Sequence, residues 1–228
     1  GKAVIHGYDD RSSEAAIPQK LMGADVAIID DYAFFNDAVI TSVSFEDATA
    51  LKTIGVNAFY GCGGLTSLTI PEWIEEISFG AFQNCTSLEA LTVRDGITQI
   101  PAQCFYGCVS LKQIALSDSI TEIGERAFFN SKHLVTVTIP ESVSRIGESA
   151  FSVCPYLEKA FLSDGVAEIG DYAFHLCENL QSVKLPGSVT AIGRYAFLGC
   201  YQLTDLTIPK NTAVGEGAFL QVPLQSGG

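Results

Sequence analysis

One dipeptide, Ala-Phe, returns along this chain at near-constant spacing, and no other feature restricts the fold so severely. It stands at 33–34, 58–59, 81–82, 127–128, 150–151, 173–174, 196–197 and 218–219, and Cys104-Phe105 fills the one gap. Six consecutive intervals between the phenylalanines are 23 residues; the first is 25 and the last 22. Other apolar positions keep the same register. Five residues before each Phe stand Ile29, Ile54, Ile77, Ile100, Ile123, Ile146, Ile169, Ile192 and Val214. Eight before it the run goes from Val26 to Val189, and six after it from Ile40 to Leu203. Nine and eleven after it, pairs such as Leu68/Ile70, Val137/Ile139 and Leu206/Ile208 alternate with polar residues, the signature of a short strand with one buried face. One copy cannot bury its own Phe, Leu and Ile. Stacked copies turn each apolar position into a continuous ladder, with parallel strands about 4.8 Å apart.

The turns are marked as well. Gly55, Gly124, Gly147, Gly170 and Gly193 each follow the register Ile, where the backbone needs either a positive φ or a close approach. Asn36, Gly61, Asn84, Gly107, Asn130 and Gly199, two after the Phe, are residue types that tolerate the left-handed region. Pro71, Pro140, Pro186 and Pro209 close strands where no further N–H is wanted.

A stretch such as Gly187-Ser-Val-Thr-Ala-Ile-Gly-Arg-Tyr-Ala-Phe-Leu-Gly-Cys-Tyr-Gln-Leu-Thr-Asp-Leu-Thr-Ile-Pro209 resembles the BspA type of leucine-rich repeat, and the resemblance covers about residues 26–219. It implies an α/β-type repeat solenoid dominated by β structure: a right-handed leucine-rich-repeat coil with one parallel sheet of about eight short strands and turn-rich connections opposite. It also implies a bacterial surface or secreted protein, some relatives being adhesins for host proteins. Residues 1–25 read as an N-terminal cap forming a short helix or strand, 26–219 as nine repeats of about 23 residues, and 220–228 as a tail lying across the last rung or fraying.

Composition narrows the function classes. Hydrophobic residues make up 47% and charged residues 17%, enough apolar material for a continuous core. No run approaches the ~18 apolar residues of a membrane span. The net charge of −13 sets the surface against nucleic acid, whose phosphates are bound through Lys and Arg. Residues 1–76 hold 12 acidic and 4 basic side chains. No long apolar segment follows Gly1-Lys2-Ala3-Val4, and Gly1 reads as the remnant of a removed tag. The expectation is an extracellular or cell-surface protein whose leader has been cut away.

Six cysteines (62, 85, 108, 154, 177 and 200) fall three residues after the Phe, with Asp37 and Ser131 taking that place in two other copies; Cys104 replaces the register Ala. A fixed register in a coil points inward, so they read as a ladder of reduced, buried thiols. Disulfides between neighbouring rungs are the rival, at permitted Cα separations of roughly 4.4–6.8 Å, but the count is odd. No Cys-x-x-Cys or Cys/His cluster suggests metal, and no cofactor is expected. His6, His133 and His175 fall in different registers, with no Ser-His-carboxylate pattern to assemble. The acidic pairs Asp9-Asp10, Asp30-Asp31 and Glu75-Glu76 read as solvated turns. The chain is not expected to be an enzyme.

What remains is the exposed strand face. Eight after each Phe the residues are Ser42, Ser67, Ala90, Gln113, Thr136, Lys159, Ser182 and Asp205; ten after, Ser44, Thr69, Thr92, Ala115, Thr138, Phe161, Lys184 and Thr207. Against this bland background Lys159, Phe161, Lys184 and Asp205 stand out as a candidate protein-binding patch, unless Phe161 packs beneath a lysine stem. A second candidate is the residue after each Phe: Phe35, Tyr60, Tyr106, Phe129, His175 and Leu198, expected to be partly buried under the turn. The function so implied is a non-catalytic surface module presenting its strands to a protein partner. A structural spacer and a carbohydrate binder are the alternatives; Trp73 is the only Trp.

Overall fold

The alternation at Leu68/Ile70 and Val137/Ile139 places one strand in each coil. In the computed structural model, which describes residues 2–7 and 12–223, these strands are Ser42–Ser44, Ser67–Ile70, Ala90–Val93, Gln113–Leu116, Thr136–Ile139, Lys159–Leu162, Ser182–Lys184 and Asp205–Thr207. Pairing is parallel and one repeat apart: Ser67 lies opposite Ala90, and Thr136 opposite Lys159. Leu68, Ile70, Val137 and Ile139 are buried while Ser67, Thr69, Thr136 and Thr138 are exposed. Among the described residues none is helical. The coil is the β-dominated parallel solenoid that the repeat implies.

The side expected to hold turns alone carries a second parallel column. Two-residue strands Thr53–Ile54, Glu76–Ile77, Gln99–Ile100, Glu122–Ile123, Arg145–Ile146, Glu168–Ile169, Ala191–Ile192 and Ala213–Val214 bring the register Ile into line. The Gly after that Ile donates its N–H to the Ile carbonyl of the preceding coil, as from Gly147 to Ile123 at 2.7 Å and from Gly170 to Ile146 at 2.8 Å. A Cβ on Gly147 would stand 2.7 Å from the Gly124 backbone, and none of the five register glycines has a positive φ. Close approach, rather than left-handed geometry, is therefore why Gly sits there. Pro101 occupies the same register without an N–H to donate, and the short column is broken just there, between Glu76–Ile77 and Gln99–Ile100.

The left-handed positions lie on the turn side. Two after the Phe the φ is positive in every coil, including Val153 at 60° and Leu176 at 55°. Two before it the same holds, at Tyr32, Asn57, Gly80, Gln103, Arg126, Ser149, Tyr172, Tyr195 and Gly217. This pair of reversals aims successive N–H groups at the next coil: Phe59 donates to Ala81 at 2.7 Å and Gly61 to Gln83 at 2.8 Å. Asn and Gly alternate because the Asn side chain fills the space a neighbouring Cβ would need; one on Gly107 would come within 2.2 Å of Asn84 Oδ1.

Inside, the nine phenylalanines form one stack. Neighbouring rings are 4.6–5.6 Å apart and nearly parallel. The cysteines beside them are free and buried. Cys62, Cys85, Cys177 and Cys200 each donate Sγ–H to the Phe carbonyl of the preceding coil at 3.2–3.3 Å. A small apolar side chain with a weak donor suits that place.

The N-terminal residues form strands, not a helix. Lys2–Ile5 adds to the short column against Ala24–Ile29, and Glu14–Ala16 adds to the long column against Ser42–Ser44. Together they supply a rung on each side ahead of the first Phe. At the other end Val222 donates to the Phe219 carbonyl. Asp9-Asp10 and residues 224–228 of the expected tail lie outside the described residues.

Candidate binding face

Parallel pairing decides which strand-face residues meet. Phe161 lies directly opposite Lys184, and Lys159 opposite Ser182; Ser182 in turn lies opposite Asp205. Lys159 and Phe161, two apart on one strand, share a face. Lys159, Phe161 and Lys184 therefore form one group, and Asp205 sits a rung further on, beyond Ser182. Phe161 is 50% exposed, so half of its surface is open to solvent beside Lys184.

Most of the other described cations are ion-paired, and those of this group are not. On the short-strand side and in the turns most cations bridge coils, Arg145 to Glu122 at 2.7 Å and Glu168 at 3.4 Å, Arg194 to Glu216 at 2.7 Å, Lys52 to Glu75 at 2.9 Å, with Lys132 and Lys210 among the exceptions in the described residues. Among the described residues neither Lys159 nor Lys184 has a carboxylate within ion-pair distance, and neither does Asp205 a cation. Exposed pairs are individually worth only about 0–1 kcal/mol. Their distribution matters more: the face around Phe161 keeps its cations uncommitted.

The sequence reading missed a neighbouring feature. His133 and Tyr156, both five after their Phe, bring their rings to 5.9 Å. With Val135 and Glu158 they line a shallow hollow where the chain enters the strands. Tyr156 is 54% and Val135 43% exposed. The signal was present, since most other copies carry Gly, Ser, Asn or Gln at that register. Glu158 runs straight into Lys159, so hollow and group form one surface.

The turn-side stripe is largely structural. Phe35 is exposed, but Tyr60, Tyr106, Phe129, His175 and Leu198 are half-buried. They stack in pairs, Phe35 on Tyr60 at 4.8 Å and Tyr106 on Phe129 at 4.9 Å. Ser152 Oγ lies 3.2 Å from His175 Nδ1, a Ser-His contact that register alone did not reveal. Ser152 is 1% exposed, closed off from any substrate, and burial lowers the His175 pKa. Among the described residues no three His, Cys, Asp or Glu side chains gather as metal ligands, and no helix is long and apolar enough to cross a membrane.

Comparison with known proteins agrees with the coil. No curated protein matches the chain. Solved structures do: a Treponema pallidum leucine-rich-repeat protein is 28% identical with a TM-score of 0.63, over 90% of this chain and 84% of that one. A leucine-rich cell surface protein from Faecalibacterium prausnitzii is 28% identical with a TM-score of 0.61, over 96% and 75%. A Eubacterium ventriosum leucine-rich-repeat protein shares the fold at 23% identity, with a TM-score of 0.64 over 92% and 50%. The model of the BspA type leucine-rich-repeat region, six copies long, matches residues 27–158 and 98–225. With the Phe stack, the parallel columns and that match spanning nearly every coil, the chain belongs to the BspA type leucine-rich-repeat family.

Proposed function

We propose that the chain is a secreted or surface-displayed binding module that docks a protein partner on its long-strand face around Phe161. One observation supports this most directly: an exposed aromatic beside two lysines without an ion-pair partner among the described residues, on a molecule of net charge −13 whose other described cations mostly pair with acids. An aromatic that becomes buried at an interface contributes far more than the Thr and Ser around it, and free lysines steer an acidic partner patch. The hollow of His133, Val135 and Tyr156 extends the apolar area. Surface display is supported by the F. prausnitzii relative, which is described as a cell surface protein.

The test presents the chain to extracellular-matrix and bacterial-surface proteins and compares variants against whichever partner binds. Phe161→Ala should weaken binding by about 2 kcal/mol or more. Lys184→Glu should slow association and flatten its salt dependence, while Thr92→Ala leaves both unchanged. Equal loss in all three variants, or none in the first two, removes this face from consideration.

A further inference from the structure

Trp73 departs from its repeat in a way that the protein-docking face does not explain. Its register, nine before the Phe, is held elsewhere by Ser119, Ser142 and Ser188, by Gly96 and Gly165, and by Asp25, Ala50 and Lys210, with no other aromatic. Each of those serines ties its coil to the one before: the hydroxyl donates to a carbonyl there, Ser119 to Ile97 at 2.8 Å, Ser142 to Ile120 at 2.6 Å and Ser188 to Val166 at 2.7 Å. Trp73 does not take over that bond. Its Nε1 is buried with no hydrogen-bond partner among the described residues, an omission that native structures rarely leave without a reason.

The surroundings of Trp73 are also irregular. The first interval between phenylalanines is 25 residues instead of 23, and the extra two fall in the loop after Ser42–Ser44. Thr66 N–H still reaches the Thr41 carbonyl at 3.2 Å. Beyond that point no ladder joins Ser42–Ser44 to Ser67–Ile70. The parted strands frame a cleft of about 260 Å³, lined by Trp73 with Ser42, Ser67, Thr69, Glu46 and Arg94. The hydroxyls of Ser42, Ser67 and Thr69 make no hydrogen bond within the described residues.

We propose that this cleft binds a neutral saccharide, one or two rings deep. Trp offers a flat apolar face, matching the apolar face of a sugar ring, and its buried Nε1 leaves the polar contacts to the hydroxyls around it. Ser and Thr hydroxyls both donate and accept, as sugar hydroxyls do. Size fits as well: the cleft falls just below the 300–1,000 Å³ range of sites for drug-sized ligands. Anionic sugars are disfavoured, because Glu46 lines the cleft and Arg94, the one cation among the described residues lining it, already faces Glu72 at 3.5 Å.

The single tryptophan makes the test direct, since all indole emission reports on this cleft. The intact chain is titrated with methyl glucoside, methyl galactoside, N-acetylglucosamine and cellobiose, with sialic acid as the anionic control. A saturable change in emission with at least one neutral sugar, accompanied by protection from acrylamide quenching, is expected. Thr69→Val and Ser67→Ala, both on the exposed face, should weaken that response at least tenfold with unchanged melting, whereas Phe161→Ala should leave it intact. The proposal is overturned if no neutral sugar gives a saturable response, if sialic acid is preferred, or if the Thr69 and Ser67 variants respond like the parent.

Discussion

Ser131 shows how narrowly one position in a coil is specified. Six other copies place Cys there, and four of those thiols sit 3.2–3.3 Å from the Phe carbonyl of the preceding coil. Ser131 is fully buried and its hydroxyl has no partner among the described residues. A buried hydroxyl without a hydrogen bond costs about 1–3 kcal/mol, so Ser131→Cys should raise the unfolding free energy by about 1 kcal/mol or more in denaturant titration; a loss would show that Ser131 is satisfied after all. The thiols themselves carry a pH signature. Burial pushes Cys62, Cys108 and Cys200 from 9.0 up to about 12, and raises Cys85, Cys104 and Cys177 well above 9.0. Unfolded thiols release their protons near the ordinary value while folded ones hold theirs. The stabilisation is therefore complete below about pH 9 and is lost as pH climbs toward the folded values, at about 1.4 kcal/mol per thiol per pH unit. Stability should fall as pH rises from about 9 toward about 12, and Cys108→Ala should reduce the slope by about one proton. A flat profile across that window would mean the thiols are not sealed.

From coil to coil, glycine has two different roles that the sequence alone left undivided. Gly147 leaves room for the backbone of the coil before it, whereas Gly187 has nothing within 4 Å of where a Cβ would sit. Gly147→Ala should destabilise by about 1–3 kcal/mol, the cost of forcing atoms into a packed site. Gly187→Ala should be neutral or stabilise by up to about 1 kcal/mol, through the entropy of the unfolded chain. Thermal melts of the pair separate the roles, and equal effects would refute them. The same contrast explains what was legible. The Phe, Ile and Leu registers and the long strands could be counted off directly, because burial imposes periods that residue types reveal. The two-residue strands were not legible: alternation over two positions carries no signal. Nor were the left-handed positions before the Phe, where Tyr32, Arg126 and Tyr195 lack turn chemistry and the neighbouring coil imposes the geometry. At the candidate site, counting placed Lys159, Phe161 and Lys184 on one face. Their lack of ion-pair partners, and the Trp73 cleft, depend on contacts between coils that no single repeat displays.

Across the whole molecule, stability in a solenoid is a sum over neighbouring interfaces, so the array opens where an interface is thinnest. The coil of Phe105 is the candidate. On its short-strand side Pro101 withholds the N–H that Gly124, Gly147 and Gly170 donate in their own coils, and the column breaks before Gln99–Ile100. On its long-strand side no ladder joins Gln113–Leu116 to Thr136–Ile139, and Ile114 and Leu116 are only half-buried where their counterparts Val137 and Ile139 are closed off. The Phe stack continues through both junctions at 5.5–5.6 Å, so the rod remains one body held there mainly by its core and turn-side bonds. Hydrogen exchange should accordingly find two protected blocks, with amides of residues 99–100 and 113–116 exchanging faster than those of 145–147 and 159–162. Pro101→Ser, which restores an N–H at the register where Ser78 already donates to Ile54, should slow exchange across the first junction and leave the second as it was. Uniform protection along the array, or a variant indistinguishable from its parent, would place the weak interface elsewhere and return Pro101 to the role of an ordinary turn residue.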